Sequence, residues 1–259
     1  MNQTERRIFL IRELLSERPD CANMQIPADI DRQKRLLRSL FNVRMPKPVS
    51  KEFLRTQDEY LQEEIASKGI TRMEDLTPVQ DTLYLWQGDI TTLECDAIVN
   101  AANSGMLGCF CPNHGCIDNA IHTFAGVRLR AACAEIRNRQ GREEETGQAK
   151  MTPAFNLPCK FVLHTVGPIV HGSLTEKDKA YLASCYRSCL MLAEQNAIES
   201  IAFCCISTGE FHFPNDQAAR IAIQTVKEYK RQTKSKIEVI FNVFKDLDYE
   251  IYKKLLRED

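Results

Sequence analysis

Three cysteines and a histidine, Cys109, Cys111, His114 and Cys116, fall within eight consecutive residues of the segment GCFCPNHGCIDN at 108–119. Thiolate sulfur and imidazole nitrogen are ligands that zinc prefers. A structural site takes four of them. All four residues could serve, although so short a span would strain the loop. The catalytic arrangement takes three ligands and leaves one position open. Two thiolates and a neutral imidazole balance the charge of the metal, and water in an open position has a pKa lowered to roughly 7. The plainer alternative is a turn of free thiols. Asp118 follows at the expected start of a helix. A carboxylate there either complements the helix dipole or serves as a general base.

A second segment of interest is ISTGEFHFP at 206–214. It follows an expected strand and precedes a helix starting near Asn215. Small residues leave backbone N–H groups free, and such a loop before a helix N-terminus favours phosphate. An ordinary strand–helix turn would look similar. Asn103, in NAAN at 100–103, either satisfies a turn or binds a ligand hydroxyl. Neither GxGxxG nor GxxxxGK[ST] occurs, so the Rossmann and P-loop fingerprints are missing.

These loops need a scaffold. The chain has 259 residues, 44% of them hydrophobic, which is enough for a full core. Net charge is −1, which gives no broad attraction to nucleic acid. No apolar run is long enough to span a membrane. The N-terminus reads as an amphipathic helix and not as a signal peptide. Eleven cysteines without a secretion signal suit reduced, mostly buried thiols in the cytoplasm.

Residues 1–80 read as a helical extension. One apolar stripe runs through Ile8, Ile11 and Leu15, and a second through Leu36, Leu37, Leu40 and Phe41. A third runs through Leu54, Leu61 and Ile65, with Ser50 as N-cap and Gly69 beyond the C-terminus. RMPKP at 44–48 breaks the helices between. Residues 81–259 alternate strand and helix. Strands are expected at 82–87, 97–100, 161–166, 200–205 and 237–243, and a single helix at 117–139. Later helices carry Leu182 to Leu192, Ala218 to Tyr229 and Tyr249 to Leu256. The alternation implies an α/β sandwich with a largely parallel sheet, whose ligands sit at the strands' carboxyl ends. GDIT at 88–91, NAAN, the cysteine segment and the 206–214 loop all fall there.

Taken in order, GDIT (88–91), DAIVNAAN (96–103), IDNAIHTFAG (117–126), HTVGP (164–168) and ISTGEFHFP (206–214) resemble the macrodomain family in its ADP-ribosylhydrolase branch. The resemblance runs from about Leu83 to Leu256. It implies a three-layer α/β/α fold with a mixed, largely parallel central sheet. Asp89, with Ile90 beside it, matches the acid that recognises the adenine amino group. Ser207, Thr208, Gly209, Glu210 and Phe211 match the loop around the diphosphate and distal ribose. Asn103 matches the asparagine that holds that ribose. Asp118 matches the aspartate implicated in hydrolysis, with Cys116 and Ile117 beside it in the ligand site. His122 and His164 belong to motifs in which they are read as structural.

The sequence departs from the common branch at GCFCPNHGC, which resembles a zinc-containing microbial branch with an N-terminal helical extension. That pattern implies one zinc per chain on Cys109, His114 and Cys116, and it leaves Cys111 out. Asn119 stands where the common motif has glycine. The expected activity is zinc-dependent hydrolysis of the protein–ADP-ribose glycosidic bond, with Asp118 and Asn103 catalytic. The branch also implies a sirtuin-like ADP-ribosyltransferase as functional counterpart and a lipoyl-carrier protein of the glycine-cleavage H type as substrate. A non-catalytic reader of ADP-ribose with a structural zinc is the competing expectation. A zinc deaminase would need an H-x-E and P-C-x-x-C pair that is absent.

Overall fold

The computed structural model describes residues 1–21 and 24–258. Three helices come first: α1 (Gln3–Ser16), α2 (Ile30–Val43) and α3 (Lys51–Ser67). Each N-terminus is closed by a side chain that accepts a backbone N–H, from Asn2, Asp29 and Ser50 respectively. Gly69 follows α3 at φ +87°, in the left-handed region. Leu10, Ile11, Leu14 and Leu15 of α1 pack with Leu37, Leu40 and Phe41 of α2 and with Phe53, Tyr60 and Leu61 of α3. The buried stripe of α3 is centred on Phe53, whereas Leu54 is only half-buried. An aromatic ring removes more apolar area from water than its leucine neighbour would.

Short strands β1 (Thr71–Arg72) and β2 (Pro78–Gln80) lead to β3 (Leu83–Gln87), β4 (Leu93–Glu94) and β5 (Ala97–Ala102). Helices α4 (Ile117–Ala125) and α5 (Val127–Gln140) follow, then β6 (Ala149–Pro153) and β7 (Phe161–Val166). The chain ends with α6 (Glu176–Gln195), β8 (Ser200–Phe203), α7 (Asn215–Thr233), β9 (Glu238–Val243) and α8 (Asp246–Glu258).

The main sheet runs β2-β3-β9-β8-β5-β7-β6. Its five inner strands are parallel, and β2 and β6 pair antiparallel at the two edges. The inner strands β5, β8 and β9 are almost continuously buried, as expected of strands covered by helices on both faces. The fold is therefore the three-layer α/β/α arrangement with a mixed, largely parallel sheet.

Three sequence expectations change. Strands β1 and β2 lie within residues 1–80, the stretch expected to be a helical extension, and β2 joins the main sheet beside β3. The single helix over 117–139 is two helices, broken at Gly126, where φ is +87°. A Cβ on Gly126 would lie 2.6 Å from Gln57 Nε2 of α3. Gln57 Oε1 accepts the Val127 N–H at 2.9 Å, so the break is where the extension docks. Edge strand β6 was not anticipated. Its sequence, AKMTP, is short, carries a lysine and only one β-branched residue, and ends in proline, which only an edge tolerates.

Candidate active site

A cavity of about 1120 Å³ opens at the carboxyl ends of β3, β5, β8 and β9. Every residue singled out from the sequence as ligand-binding, catalytic or metal-binding lines it: Asp89, Ile90, Asn103, Cys109, His114, Cys116, Ile117, Asp118 and Ser207 to Phe211. Cys111 is exposed and stands apart from the cluster of Cys109, His114 and Cys116.

Asp118 sits in the first turn of α4 and is 4% exposed. It does not cap the helix. The Cys116 side chain does, accepting the Asn119 N–H at 3.4 Å. Asn100 Nδ2 donates to Asp118 Oδ1 at 2.8 Å, and Asn103 Nδ2 donates to Oδ2 at 3.3 Å. Burial pushes the carboxyl up to about 6, against the opposing pull of the Asn100 hydrogen bond and the Arg130 charge. Asn103 is itself fixed, since its Oδ1 accepts Gly105 N–H at 3.0 Å and its Nδ2 donates to Gly108 O at 3.2 Å. Gly108 has φ +80°, and a Cβ there would sit 2.8 Å from the His122 ring. The loop that carries Cys109, His114 and Cys116 therefore enters the site over His122, along a path that a side chain would block.

His122 and His164 lie in the interior beneath Asp118, with Cys133 close by. Burial holds both imidazoles neutral. It lowers His164 to about 4 and takes His122 well below its ordinary value. His122 Nε2 is 3.5 Å from Asp118 Oδ1, and as a neutral ring it forms no ion pair there. His164 instead bonds Thr152 Oγ1 at 2.9 Å.

Cys109 Sγ, Cys116 Sγ and a ring nitrogen of His114 lie within 4.8 Å of one another. The Cys109 sulfur is 3.7 Å from His114 Nδ1. Burial pushes the Cys116 thiol up to about 12, with the Asn119 N–H pulling against it and Cys109 adding to the rise. His114 Nε2 lies 3.4 Å from Glu210 Oε1, so the 108–116 loop and the 206–214 loop meet across the cavity.

In the 206–214 loop, Phe213 N–H bonds Ser207 O and His212 N–H bonds Gly209 O, both at 3.0 Å. Among the described residues, the N–H groups of Gly209, Glu210 and Phe211 make no hydrogen bond to protein. With α7 beginning at Asn215, this is a backbone cradle suited to an anion.

Asp89 Oδ1 accepts Thr91 N–H at 3.0 Å and Thr91 Oγ1–H at 2.6 Å. Its Oδ2 meets Lys68 Nζ at 2.9 Å. These bonds outweigh burial and hold the carboxyl below its usual range. Lys68 also stands 3.4 Å above the Phe124 ring.

Sequence reasoning missed several groups at the site. Lys68, Arg38 and Arg130 carry no local signal, because only the fold brings them near the loops. Asn100 lies within a motif that was quoted, but its partner Asp118 is eighteen positions away in sequence. Phe244 stands 74% exposed on the cavity wall directly after β9. An apolar aromatic at the carboxyl end of an expected strand was a signal available for it.

Comparisons with known proteins agree with this geometry. The family model described as "Macro domain" matches residues 99–222. The chain is 60% identical over 260 residues to a protein-ADP-ribose hydrolase of Treponema medium, covering 99% of this chain and 100% of that protein. It is 48% identical over 253 residues to a protein-ADP-ribose hydrolase of Staphylococcus aureus, covering 97% of this chain and 95% of the relative. Among solved structures, a Trypanosoma brucei macrodomain in complex with ADP-ribose superposes with a TM-score of 0.66 at 30% identity. That match covers 85% of this chain and 94% of the other.

Proposed function

Because the chain belongs to the macro domain family, we propose that it binds ADP-ribose and hydrolyses it from mono-ADP-ribosylated protein, with zinc held by Cys109, His114 and Cys116. The observation that carries this reading is the position of the three metal-binding atoms, on the same cavity wall as the doubly held carboxylate of Asp118. Relatives of similar length are named protein-ADP-ribose hydrolases, which supports the activity.

The donor set fits zinc. Ligand atoms around one tetrahedral zinc lie roughly 3.5–4 Å apart, and Cys109 Sγ and His114 Nδ1 are 3.7 Å apart. Burial raises the proton affinity of the Cys116 thiol, and a divalent cation would relieve this by displacing the proton. Glu210, against the other nitrogen of His114, is the carboxylate that commonly orients such a ligand. When bound, zinc supplies a Lewis acid beside the carboxylate.

The remaining roles fall to the chain's own groups. Asp89 accepts the adenine amino hydrogen, with Ile90 against the ring. The free N–H groups of Gly209, Glu210 and Phe211 receive the diphosphate. Asn103 holds the distal ribose. Asp118, kept in one orientation by Asn100 and Asn103, positions the attacking water and accepts its proton. His114 and Glu210 close the two loops over the sugar and limit bulk water.

For the substrate protein, the zinc-branch resemblance supports a lipoyl carrier of the glycine-cleavage H type, modified by a sirtuin-like transferase. The core cysteines, Cys95, Cys133, Cys159, Cys185, Cys189 and Cys204, are buried as free thiols, which supports a reducing compartment such as the cytoplasm.

The test measures zinc content, ADP-ribose affinity by calorimetry and ADP-ribose release from modified protein. Cys116→Ala should lose zinc and release together. Asp118→Asn should bind ADP-ribose and not release it. Full activity in both variants would overturn the catalytic roles. Tight binding by the wild type without any release would make the protein a reader.

A further inference from the structure

One face of α2 is not used in the core of the helical extension. Arg38 and Asn42, one turn apart, meet the loop that carries the metal-binding residues. Arg38 Nη2 donates to the His114 carbonyl at 3.0 Å and to Asn119 Oδ1 at 2.8 Å, and its Nε donates to the same Oδ1 at 3.1 Å. Asn42 Oδ1 accepts the Asn113 N–H at 2.9 Å, and its Nδ2 donates to Thr123 Oγ1 at 3.0 Å. Asn119 passes the contact on, since its Nδ2 donates to the Cys111 carbonyl at 3.0 Å. Arg130 bonds the loop at Leu107 O, at 2.7 Å, and the end of α2 at Phe41 O, at 2.9 Å, and at Arg44 O.

The loop needs such support. Residues 103–116 contain no helix or strand. Asn113, just before His114, holds φ +55°, a left-handed conformation that asparagine tolerates but does not favour strongly. The backbone on both sides of His114 is thus fastened to α2, at the N–H of residue 113 and the carbonyl of residue 114. The Asn119 side chain is buried between Arg38 and the loop, and it occupies the place where the common family motif has glycine.

We propose that the N-terminal extension is the outer shell of the metal centre. Arg38, Asn42 and Asn119 are positioning residues that pre-form the turn presenting His114 to zinc. Groups that orient first ligands typically change metal affinity by roughly 10–100-fold when removed. This inference rests on zinc binding at Cys109, His114 and Cys116.

The experiment uses the full chain and zinc alone. Zinc affinity and release rate are measured against a chromophoric chelator for the wild type, Arg38→Met, Arg38→Lys, Asn42→Ala and Asn119→Gly. Melting temperatures are taken with zinc and with excess chelator. Arg38→Met and Asn119→Gly should bind zinc roughly tenfold or more weakly and release it faster. Arg38→Lys should recover only part of the loss, because an ammonium cannot reproduce the forked contact with two acceptors. The stabilisation conferred by zinc should shrink in the variants, while the zinc-free melting temperatures stay close to that of the wild type. A purely structural role would lower both melting temperatures alike and leave zinc affinity within twofold of wild type, and that result overturns the proposal. Asn42→Ala keeps the guanidinium in place and carries the same test should Arg38→Met fail to fold. A wild type that takes up no zinc, like a Cys116→Ala control, would remove the underlying zinc reading itself.

Discussion

Asn100, in the middle of β5, donates to Asp118 Oδ1 at 2.8 Å, and the same amide nitrogen reaches His164 Nδ1 at 3.1 Å on the neighbouring strand β7. One amide hydrogen serves each acceptor. His164 Nδ1 is therefore unprotonated, and its proton sits on Nε2 facing Thr152 Oγ1. The orientation of the candidate catalytic carboxylate is thus set from inside the sheet. Asn100→Ala removes a buried hydrogen bond to a charged group, worth roughly 1.5–3 kcal/mol. ADP-ribose release should slow by roughly tenfold to a hundredfold, with ADP-ribose affinity changing far less. Single-turnover kinetics beside calorimetry check this, and an unchanged rate would refute the positioning role.

Asp89, on the cavity wall after β3, is tied to Thr91 and Lys68. Asp89→Ala should weaken ADP-ribose binding by roughly tenfold through loss of one hydrogen bond to a charged acceptor. Stability should change little, because the Lys68 pair is partly exposed and such pairs contribute at most about 1 kcal/mol. Calorimetry with ADP-ribose and with ribose 5-phosphate separates the adenine contribution. An equal loss for both ligands would contradict the assignment.

Burial keeps His164 neutral down to about pH 4, whereas its ordinary value is 6.5. Between these values the unfolded chain binds more protons than the folded one. The His164 contribution to stability must therefore fall as pH drops from about 6.5 towards about 4 and level off below that, while Asp118, whose carboxyl is raised to about 6, opposes it over part of the same range. The gap corresponds to roughly 3 kcal/mol. His122 is shifted the same way and adds to the slope. Urea unfolding at several pH values, with chelator present to exclude metal linkage, measures it. His164→Gln should flatten the dependence, and a slope identical to wild type would count against the buried-neutral assignment.

Gly126 combines φ +87° with a contact against Gln57 that leaves no room for a Cβ. Gly126→Ala should destabilise the protein by more than about 1 kcal/mol. The loss should come from the junction of α3 with α4 and α5, so hydrogen exchange should rise there first. Unchanged denaturant midpoints would mean that α3 can shift without cost.

Much of the architecture could be read along the chain. The five inner strands lie where β-branched and aromatic runs placed them, because strands covered on both faces must be apolar throughout. Edge strand β6 escaped notice because AKMTP is short, has one β-branched residue, no aromatic and a terminal proline, so its brief alternation does not stand out from a loop. The break at Gly126 was hidden because α4 and α5 are each helical in composition. Only the packing of Gln57 makes the glycine a boundary.

The same division runs through the site. By itself the sequence determined the types of chemistry available: four close candidate ligands of zinc's preferred kind, a carboxylate at a helix start, and a small-residue loop before another helix. These are local features, since the spacing that makes a ligand group or an N–H cradle is a matter of a few residues. The tertiary structure alone decided what surrounds them. Lys68 reaches Asp89, Asn100 holds Asp118, Glu210 meets His114, and Arg38 grips Asn119 across 81 positions of sequence. Hydrogen bonds between distant segments depend on how helices and sheet pack, and no pattern along the chain encodes which polar side chain will be buried beside which loop.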